Sequence, residues 1–357
     1  MSESTVPALL PVAPDALNRD HLAAWIREHV MPFTGPLDVQ RFKGGQSNPT
    51  YLITAEHKRF VMRRKPSGNL LPSAHAVDRE YRIIRALEHT AVPVARPIAL
   101  CQDDSVVGTM FYLMEFVDGR IVWDPLLPGL TPAERRATYD EMIRVLAALH
   151  SVDYVEVGLG DYGRAGQYIE RQVARWTKQY RASETQRIEA MENLISWLPA
   201  NIPTGDESCI VHGDYRLDNV VLHPSEPRIL AVLDWELSTI GHPLADLAYH
   251  CMPWRIPKSV FRGFAGVDYA SLGIPTEREY VAAYFKRTGR QPVAERDWEY
   301  YMAYNMFRIA AIIQGIMARA LQGNASNTDA LQTGRTAVPL AELAWQQVER
   351  VIATGRS

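Results

Sequence analysis

The stretch Ile210–Asp246, IVHGDYRLDNVVLHPSEPRILAVLDWELSTIGHPLAD, carries the residues that decide the fold of this chain. It places Asp214 and Asn219 five positions apart, and Asp234 follows 20 positions after Asp214, directly behind the apolar run ILAVL. Carboxylate and amide oxygens at the ends of short strands suit a hard cation, and Mg²⁺ is bound in this way when it carries substrate phosphates. The stretch therefore predicts a site for a divalent cation and a phosphorylated ligand.

The order of these side chains matches the needs of phosphoryl transfer. That reaction needs an Asp that orients the attacking hydroxyl, an Asn and an Asp that hold metal, and groups that grip the ATP phosphates. Asp214 is the candidate catalytic residue, and Asn219 and Asp234 are the candidate metal ligands. A plainer interpretation is an ordinary turn in which Asp218 and Asn219 cap a short element, but it does not account for the position of Asp234.

Two motifs within this stretch resemble those of a known family. HGDYRLDN resembles the H-G-D-x-x-x-x-N signature of the aminoglycoside phosphotransferases and choline kinases, and VLDWE resembles the metal motif that follows it. The resemblance implies an α+β, bilobal, protein-kinase-like fold, with an antiparallel sheet plus helix in the N-lobe and a mainly helical C-lobe. It implies a nucleotide-binding lobe over residues 1–118, a catalytic and acceptor-binding lobe over residues 119–357, and ATP and Mg²⁺ as cofactors.

Length and composition set bounds on the function. The chain has 357 residues, enough for two lobes, and a net charge of −3, which does not favour nucleic acid as a partner. Three cysteines without close pairing predict neither a disulfide framework nor a zinc site and indicate a cytoplasmic location. The first 20 residues lack the features of a signal peptide, and no segment is long enough to span a membrane.

The N-terminal third predicts the sheet of a nucleotide-binding lobe. Residues 1–16 are expected to form a loose arm, and Asp20 is expected to cap a helix over His21–His29. Strands are predicted over Val39–Phe42, Tyr51–Thr54 and Phe60–Arg64. The Gly-rich turn after the first strand is expected to place backbone N–H groups near the ATP phosphates, through Gly44, Gly45, Ser47 and Asn48.

The third strand is expected to carry a cation for the α- and β-phosphates. Arg63 stands where the resembling kinases have a lysine, and arginine can bind phosphate bidentately. Lys65 lies on the same strand face and is the alternative phosphate-binding cation. A simpler interpretation is that these basic residues only face solvent. The next segment, 73–87, predicts an amphipathic helix, and the resemblance implies that Glu80 on this helix orients the strand cation.

The segment Met110–Gly119 resembles the kinase hinge strand. The resemblance implies that the backbone carbonyl of Glu115 and the backbone N–H of Val117 meet the edge of the adenine ring, with Met114 beside them. Because only backbone atoms take part, the identity of these side chains tests the prediction poorly.

The rest of the chain is predicted to be mostly helical. Thr131 and Glu134 form a capping-box pattern, and residues 165–199 predict one or two helices. The resemblance implies that Asp246 supports the backbone of the catalytic loop without reacting. His242 and His250 are expected to be packing or capping residues rather than metal ligands.

Nearly the whole chain, about residues 20–350, resembles the kinase-like domains that are fused to acyl-CoA dehydrogenases in animals, and their stand-alone bacterial relatives. That branch implies a hydroxyacyl-CoA as the small-molecule acceptor. Residues 255–357 hold 13 Lys and Arg against 9 Asp and Glu, which suits an anionic acceptor better than a polycation. The alternatives are an aminoglycoside or choline-like kinase, and a pseudokinase that binds nucleotide without transfer. The sequence does not indicate an oligomeric state.

Overall fold

The computed structural model describes residues 8–12, 17–43, 48–66, 76–323 and 329–354. Its strands, in chain order, are β1 (Leu9–Pro11), β2 (Asp38–Phe42), β3 (Thr50–Ala55), β4 (Lys58–Arg64), β5 (Pro97–Cys101), β6 (Phe111–Glu115), β7 (Cys209–Val211), β8 (Val220–Leu222), β9 (Ile229–Val232) and β10 (Thr239–Gly241). Its α-helices are α1 (Arg19–His29), α2 (Val77–Leu87), α3 (Asp104–Val107), α4 (Pro132–His150), α5 (Tyr168–Ala182), α6 (Glu189–Ala200), α7 (Pro243–Cys251), α8 (Tyr269–Leu272), α9 (Glu277–Thr288), α10 (Glu295–Leu321), α11 (Ala330–Arg335) and α12 (Ala337–Thr354).

Internal contacts divide the chain into two compact units. Unit 1 comprises Met1–Trp123, Val155–Leu159 and Arg216–Ser238, and unit 2 comprises Asp124–Tyr154, Gly160–Tyr215 and Thr239–Ser357. The chain thus enters unit 1 again between Asp214 and Asn219. Asn219 and Asp234 belong to unit 1 by contact, although the predicted functional boundary at residue 118 lies before both. The assignment of functions to residues 1–118 and 119–357 stays a prediction.

The main feature of unit 1 is a six-stranded antiparallel sheet with the strand order β1-β2-β3-β4-β6-β5. Strands β2, β3 and β4 are the three strands that the sequence predicts. Apolar side chains of α1 and of the sheet form one core, in which Ile26, Ile53, Met62 and Phe111 are fully buried. The amphipathic helix α2 packs against β5 and β6.

Two N-terminal expectations are wrong. Leu9–Pro11, expected in a loose arm, form β1, which pairs with β2 so that Pro11 lies opposite Gln40. Proline is tolerated there because β1 is an edge strand and needs no donor on its outer side. Helix α1 begins at Arg19, and its N-cap is Asn18, whose side-chain oxygen accepts the His21 N–H at 3.0 Å, rather than Asp20.

Unit 2 is mainly helical, as predicted. Helix α4 begins with the predicted capping box, in which Thr131 and Glu134 satisfy each other's backbone N–H groups. The predicted helices within residues 165–199 are α5 and α6. The 27-residue helix α10 packs against α5, α7, α11 and α12 and forms the centre of the unit. Among the described residues, no helix is both long and apolar enough to cross a membrane.

Candidate active site

A cavity of about 220 Å³ lies within unit 1. Much of its lining is apolar and comes from two of the three segments of the unit, Met1–Trp123 and Arg216–Ser238: Val61, Ile84, Ala95, Met114, Ile121, Val221 and Val232. The polar lining includes Arg63, Asn219 and Asp234. An apolar cavity with a few convergent polar groups is the usual form of a small-molecule site, and this one offers a guanidinium, an amide and a carboxylate.

Arg63 connects two carboxylates beside this cavity. Its Nε lies 2.8 Å from Oε2 of Glu80, and its Nη2 lies 3.1 Å from Oδ1 of Asp234. The Arg63 side chain is only 13% exposed. Burial alone would lower the pKa of Arg63, but Glu80, Tyr112 and Asp234 together raise it, so the guanidinium stays charged. Lys65, the alternative cation, follows the end of β4 and is not among the residues that line the described cavity.

Glu80 is the most buried charge of this cluster, with a side chain that is 1% exposed. Besides Arg63, its carboxylate accepts hydrogen bonds from the Tyr112 hydroxyl at 3.1 Å and from Nδ2 of Asn48 at 2.5 Å. Burial raises the pKa of Glu80, and the charge of Arg63 opposes that shift. Glu80 therefore holds Arg63 as the sequence predicts, while the role of this pair in nucleotide binding stays a prediction.

The glycine-rich turn is only partly described. Gly44, Gly45 and Ser47 lie outside the described residues. Asn48 is described, and its side chain supports Glu80, which the sequence does not predict. The residues on either side of the turn, Lys43 and Thr50, line the cavity. The predicted phosphate-binding role of the backbone N–H groups stays a prediction.

A β-hairpin joins the two predicted metal ligands. Asn219 directly precedes β8, and Asp234 follows the end of β9 by two residues, so the antiparallel pairing of β8 with β9 brings both to one end of the hairpin. The Leu233 N–H donates to the Asn219 carbonyl at 2.8 Å, which ties the two positions together. An amide oxygen and a carboxylate are oxygen donors that suit Mg²⁺. The donor set therefore fits the cation that the resemblance implies.

Asp234 has an unusual backbone conformation. Its φ of +63° and ψ of +60° lie in the left-handed region, which few residues other than glycine and Asn or Asp adopt. The next residue, Trp235, is buried, and its Nε1–H donates to the Val232 carbonyl at 3.0 Å. This hydrogen bond closes the turn around Asp234, whose carboxylate contacts Arg63. Backbone strain of this kind is concentrated at functional sites.

The predicted hinge segment also lines the cavity, with Met114, Glu115, Phe116 and Val117. Glu115 ends β6, and its N–H donates to the Arg96 carbonyl at 2.9 Å. No group within the described part of the chain accepts a hydrogen bond from the Val117 N–H. The proposed contacts of the Glu115 carbonyl and the Val117 N–H with adenine stay predictions.

Asp214 belongs to unit 2 and lies just after β7, in a loop that is held from several sides. Asp246 accepts the N–H of His212 at 2.7 Å and the N–H of Gly213 at 2.9 Å. Burial favours the neutral form of Asp246, but hydrogen bonds and charge from His150 and His212 lower its pKa overall. Asp246 thus supports the loop backbone as the resemblance implies.

Two further side chains contact this loop, and the sequence does not mark either of them. The Tyr249 hydroxyl donates a hydrogen bond to Oδ1 of Asp214. Nη2 of Arg308 donates to the Gly213 carbonyl at 2.8 Å. Tyr249 lies on α7 and Arg308 on α10, so their meeting at the loop depends on helix packing that no local motif encodes.

The two histidines that the sequence assigns to packing and capping have those roles. Nδ1 of His242 accepts the Leu244 N–H at the start of α7, and its ring stacks on Tyr301. The ring nitrogens of His250 lie within hydrogen-bond distance of the Tyr215 carbonyl and the Tyr280 hydroxyl. Burial lowers the pKa of both histidines to about 4.

The chain is similar to known proteins along most of its length. The family model for the phosphotransferase enzyme family, APH, matches residues 38–301. Mouse acyl-CoA dehydrogenase family member 10 is 50% identical over 314 residues, which are 87% of this chain and 29% of that protein. The chain therefore spans less than a third of the length of that relative.

Solved structures show the same fold. A candidate aminoglycoside phosphotransferase from Ralstonia eutropha JMP134 is 54% identical with a TM-score of 0.86, covering 94% of this chain and 99% of its own. An aminoglycoside phosphotransferase in complex with AMP-PNP and hygromycin B is 14% identical with a TM-score of 0.59, covering 91% and 98%. These similarities confirm the predicted kinase-like α+β fold. The chain belongs to the phosphotransferase enzyme family, the small-molecule kinases that transfer phosphate to hydroxyl groups.

Proposed function

We propose that this protein is an ATP- and Mg²⁺-dependent phosphotransferase that acts on the hydroxyl of a small anionic metabolite such as a hydroxyacyl-CoA. The observation that carries the chemistry is the cluster of Arg63, Glu80 and Asp234 on a cavity that Asn219 also lines. Cation, carboxylate and amide groups of this kind are the parts that phosphoryl transfer needs at the phosphates. The apolar remainder of the cavity suits the adenine ring.

Asn219 and Asp234 would hold the magnesium ion, which supplies charge stabilisation at the phosphates when it is bound. Arg63, kept in place by Glu80, would bind phosphate oxygens with its fork of N–H donors. Arg63 also pairs with Asp234. One guanidinium that contacts two carboxylates explains the arginine at this position, because the single ammonium of a lysine cannot match that fork geometry.

Asp214 would orient the acceptor hydroxyl and accept its proton as the hydroxyl oxygen bonds to the γ-phosphorus. The bond between that phosphorus and the bridging oxygen of the β-phosphate breaks in the same step, and ADP leaves. A positioned general base of this kind typically contributes about 10²–10⁴-fold to the rate.

Two observations favour an anionic acceptor. The relative with 50% identity is named an acyl-CoA dehydrogenase family member, and this name indicates an acyl-CoA thioester as the substrate of that relative. Residues 255–357 also have a charge balance of +4. Arg255 is neutralised by Glu277 and Glu299, but Lys286 and Arg287 are exposed on α9. Exposed cations attract an anionic substrate.

The aminoglycoside alternative is favoured by one observation, the description of the Ralstonia relative with 54% identity as a candidate aminoglycoside phosphotransferase. The test is ATP consumption with Mg²⁺ across hydroxyacyl-CoAs, aminoglycosides, choline and sugars, with phosphorylated product identified by mass spectrometry. We expect turnover with a hydroxyacyl-CoA, and turnover that is about 10²–10⁴-fold slower with Asp214→Asn. Turnover with kanamycin-like amines alone would establish the alternative. Nucleotide binding without transfer to any acceptor would make the protein a pseudokinase.

A further inference from the structure

The hydrogen bond from Tyr249 gives Asp214 a partner outside its own loop. Tyr249 lies on α7, the helix that also carries Asp246. One helix therefore holds the loop backbone through Asp246 and the Asp214 carboxylate through Tyr249. A hydroxyl that donates to a charged oxygen forms one of the stronger hydrogen bonds in proteins, so it can restrict the direction of that carboxylate.

Arg308 supports the same loop from α10. Arg308 is 8% exposed, and its guanidinium carbon lies 5.1 Å from the centre of the Tyr249 ring and 5.6 Å from the centre of the Trp176 ring. In the part of the chain that the structure describes, no carboxylate lies within ion-pair distance of Arg308. Burial lowers the pKa of Arg308, but nearby tyrosines and the charge of Asp214 raise it overall, so the guanidinium interacts electrostatically with the Asp214 carboxylate.

Gly213 is held at both of its backbone polar groups. Its N–H donates to Asp246, and its carbonyl accepts from Arg308. The φ of Gly213 is +82°, in the left-handed region that favours glycine. The peptide unit directly before Asp214 therefore has little freedom, and Tyr249 then restricts the side chain itself.

We propose that Tyr249 and Arg308 are positioning residues that aim the Asp214 carboxylate at the acceptor hydroxyl. This inference rests on the proposed function, since it assigns Asp214 the role of the base. Tyr249 acts on the carboxylate through its hydroxyl. Arg308 acts one step further away, because it packs against the Tyr249 ring and fixes the Gly213 carbonyl.

Tyr249→Phe removes only the hydroxyl and tests the first contact. We expect kcat to fall about ten- to a hundredfold, less than the loss of the base itself, while the KM for ATP stays within about twofold. Tyr300→Phe is the matched control, because Tyr300 is also buried in unit 2 and its hydroxyl donates to the Leu198 carbonyl, away from the loop. Tyr300→Phe should lower stability without lowering kcat.

The double variant separates positioning from a general structural effect. If Tyr249 acts through Asp214, Tyr249→Phe should cause no further loss of kcat in an Asp214→Asn background, because residues that act as one unit are not additive. A loss that is the same in both backgrounds would overturn the inference. Arg308→Lys keeps the charge but not the fork of donors, and we expect it to lower kcat with little change in the KM for ATP.

The outcomes distinguish the two proposals. If wild type transfers phosphate and Tyr249→Phe keeps the kcat of Tyr300→Phe, the positioning role is wrong and the proposed function stands. If wild type transfers phosphate to no acceptor while it binds Mg·ATP, the proposed function is wrong and the positioning role is wrong with it.

Discussion

Arg63 and Asp214 are the charged residues at the centres of the two parts of the predicted site, and their surroundings differ. Arg63 in unit 1 is held by two carboxylates, one of them almost fully buried. Asp214 in unit 2 lies in a loop that is held by backbone hydrogen bonds to Asp246 and Arg308 and by a neutral tyrosine. Substitutions in the first cluster should therefore disturb folding and nucleotide binding together. Substitutions of Asp214 and of the Tyr249 hydroxyl should affect mainly the chemical step and leave nucleotide binding unchanged.

The largest expected effect is at Asp214. Asp214→Asn should lower kcat by about 10²–10⁴-fold and leave ATP affinity nearly unchanged, because Asp214 would contact the acceptor hydroxyl and not the nucleotide. Steady-state kinetics and calorimetric titration of Mg·ATP measure the two effects. Turnover within a few-fold of wild type would show that Asp214 is not the catalytic residue. The two regions would then not differ in their effect on the chemical step.

The second effect is at the metal ligands of unit 1. Asp234→Ala should abolish Mg²⁺-dependent nucleotide binding, and Asn219→Ala should weaken it less, because both side chains are expected to give oxygens to the cation. Titration of ATP by calorimetry with and without Mg²⁺ measures this. Wild-type affinity and metal dependence in Asp234→Ala would contradict the assignment of the metal site.

The third prediction tests whether Arg63 and Glu80 act as one unit. Arg63→Ala should raise the KM for ATP and lower kcat, and Glu80→Ala should reproduce much of that loss without additivity in the double variant. Removing one partner of a buried pair should also cost about 3–5 kcal/mol of stability. Lys65→Ala is the control and should do less. A larger loss at Lys65, or additive effects, would move the phosphate contact away from Arg63.

A smaller effect is expected from the buried histidines of unit 2. The pKa values of His242 and His250 in the folded protein are about 4, against about 6.5 in the unfolded chain. The unfolded state therefore binds more protons below pH 6.5, and stability should fall as the pH drops from 6.5 to 4, by at most about 1.4 kcal/mol per pH unit for each histidine.

Denaturant unfolding at several pH values measures this trend. His242→Asn is the matched variant, because Asn can still cap α7 but does not titrate, and its stability should depend less on pH than that of wild type. An equal pH dependence in the two proteins would show that His242 does not contribute to the trend.

The smallest expected effect is that of salt. Added salt should raise the KM for a hydroxyacyl-CoA about severalfold at most, because it screens the attraction between exposed charges. Kinetics at two ionic strengths, with the KM for ATP measured alongside, test this. A KM that does not change with salt would remove the charge argument for an anionic acceptor.

Much of the site could be predicted because its residues lie in short local patterns. The spacing of Asp214, Asn219 and Asp234 follows from one loop and one hairpin, and the pairing of Arg63 with Glu80 follows from the order of strand and helix. The capping box of α4 is equally local. In each case, neighbouring residues in the sequence contain the information that places the side chains.

Other features depend on contacts between segments that are distant in the sequence. The pairing of β1 with β2 could not be predicted, because a three-residue edge strand has no periodicity of its own. Likewise, the side chain of Asn48 meets Glu80 across 32 positions. Pattern analysis sees residue types and spacing, and it cannot detect a hydrogen bond that only the packed fold creates.

The sequence by itself determined the family, the kinase-like fold and the candidate catalytic and metal-binding residues, because these are encoded in contiguous motifs. Only the tertiary structure decided what surrounds them. Tyr249 reaches Asp214 across 35 positions, and Arg308 reaches Gly213 across 95, through helices whose packing depends on the whole of unit 2. The physical reason is that the direction and charge environment of a side chain depend on its neighbours in space.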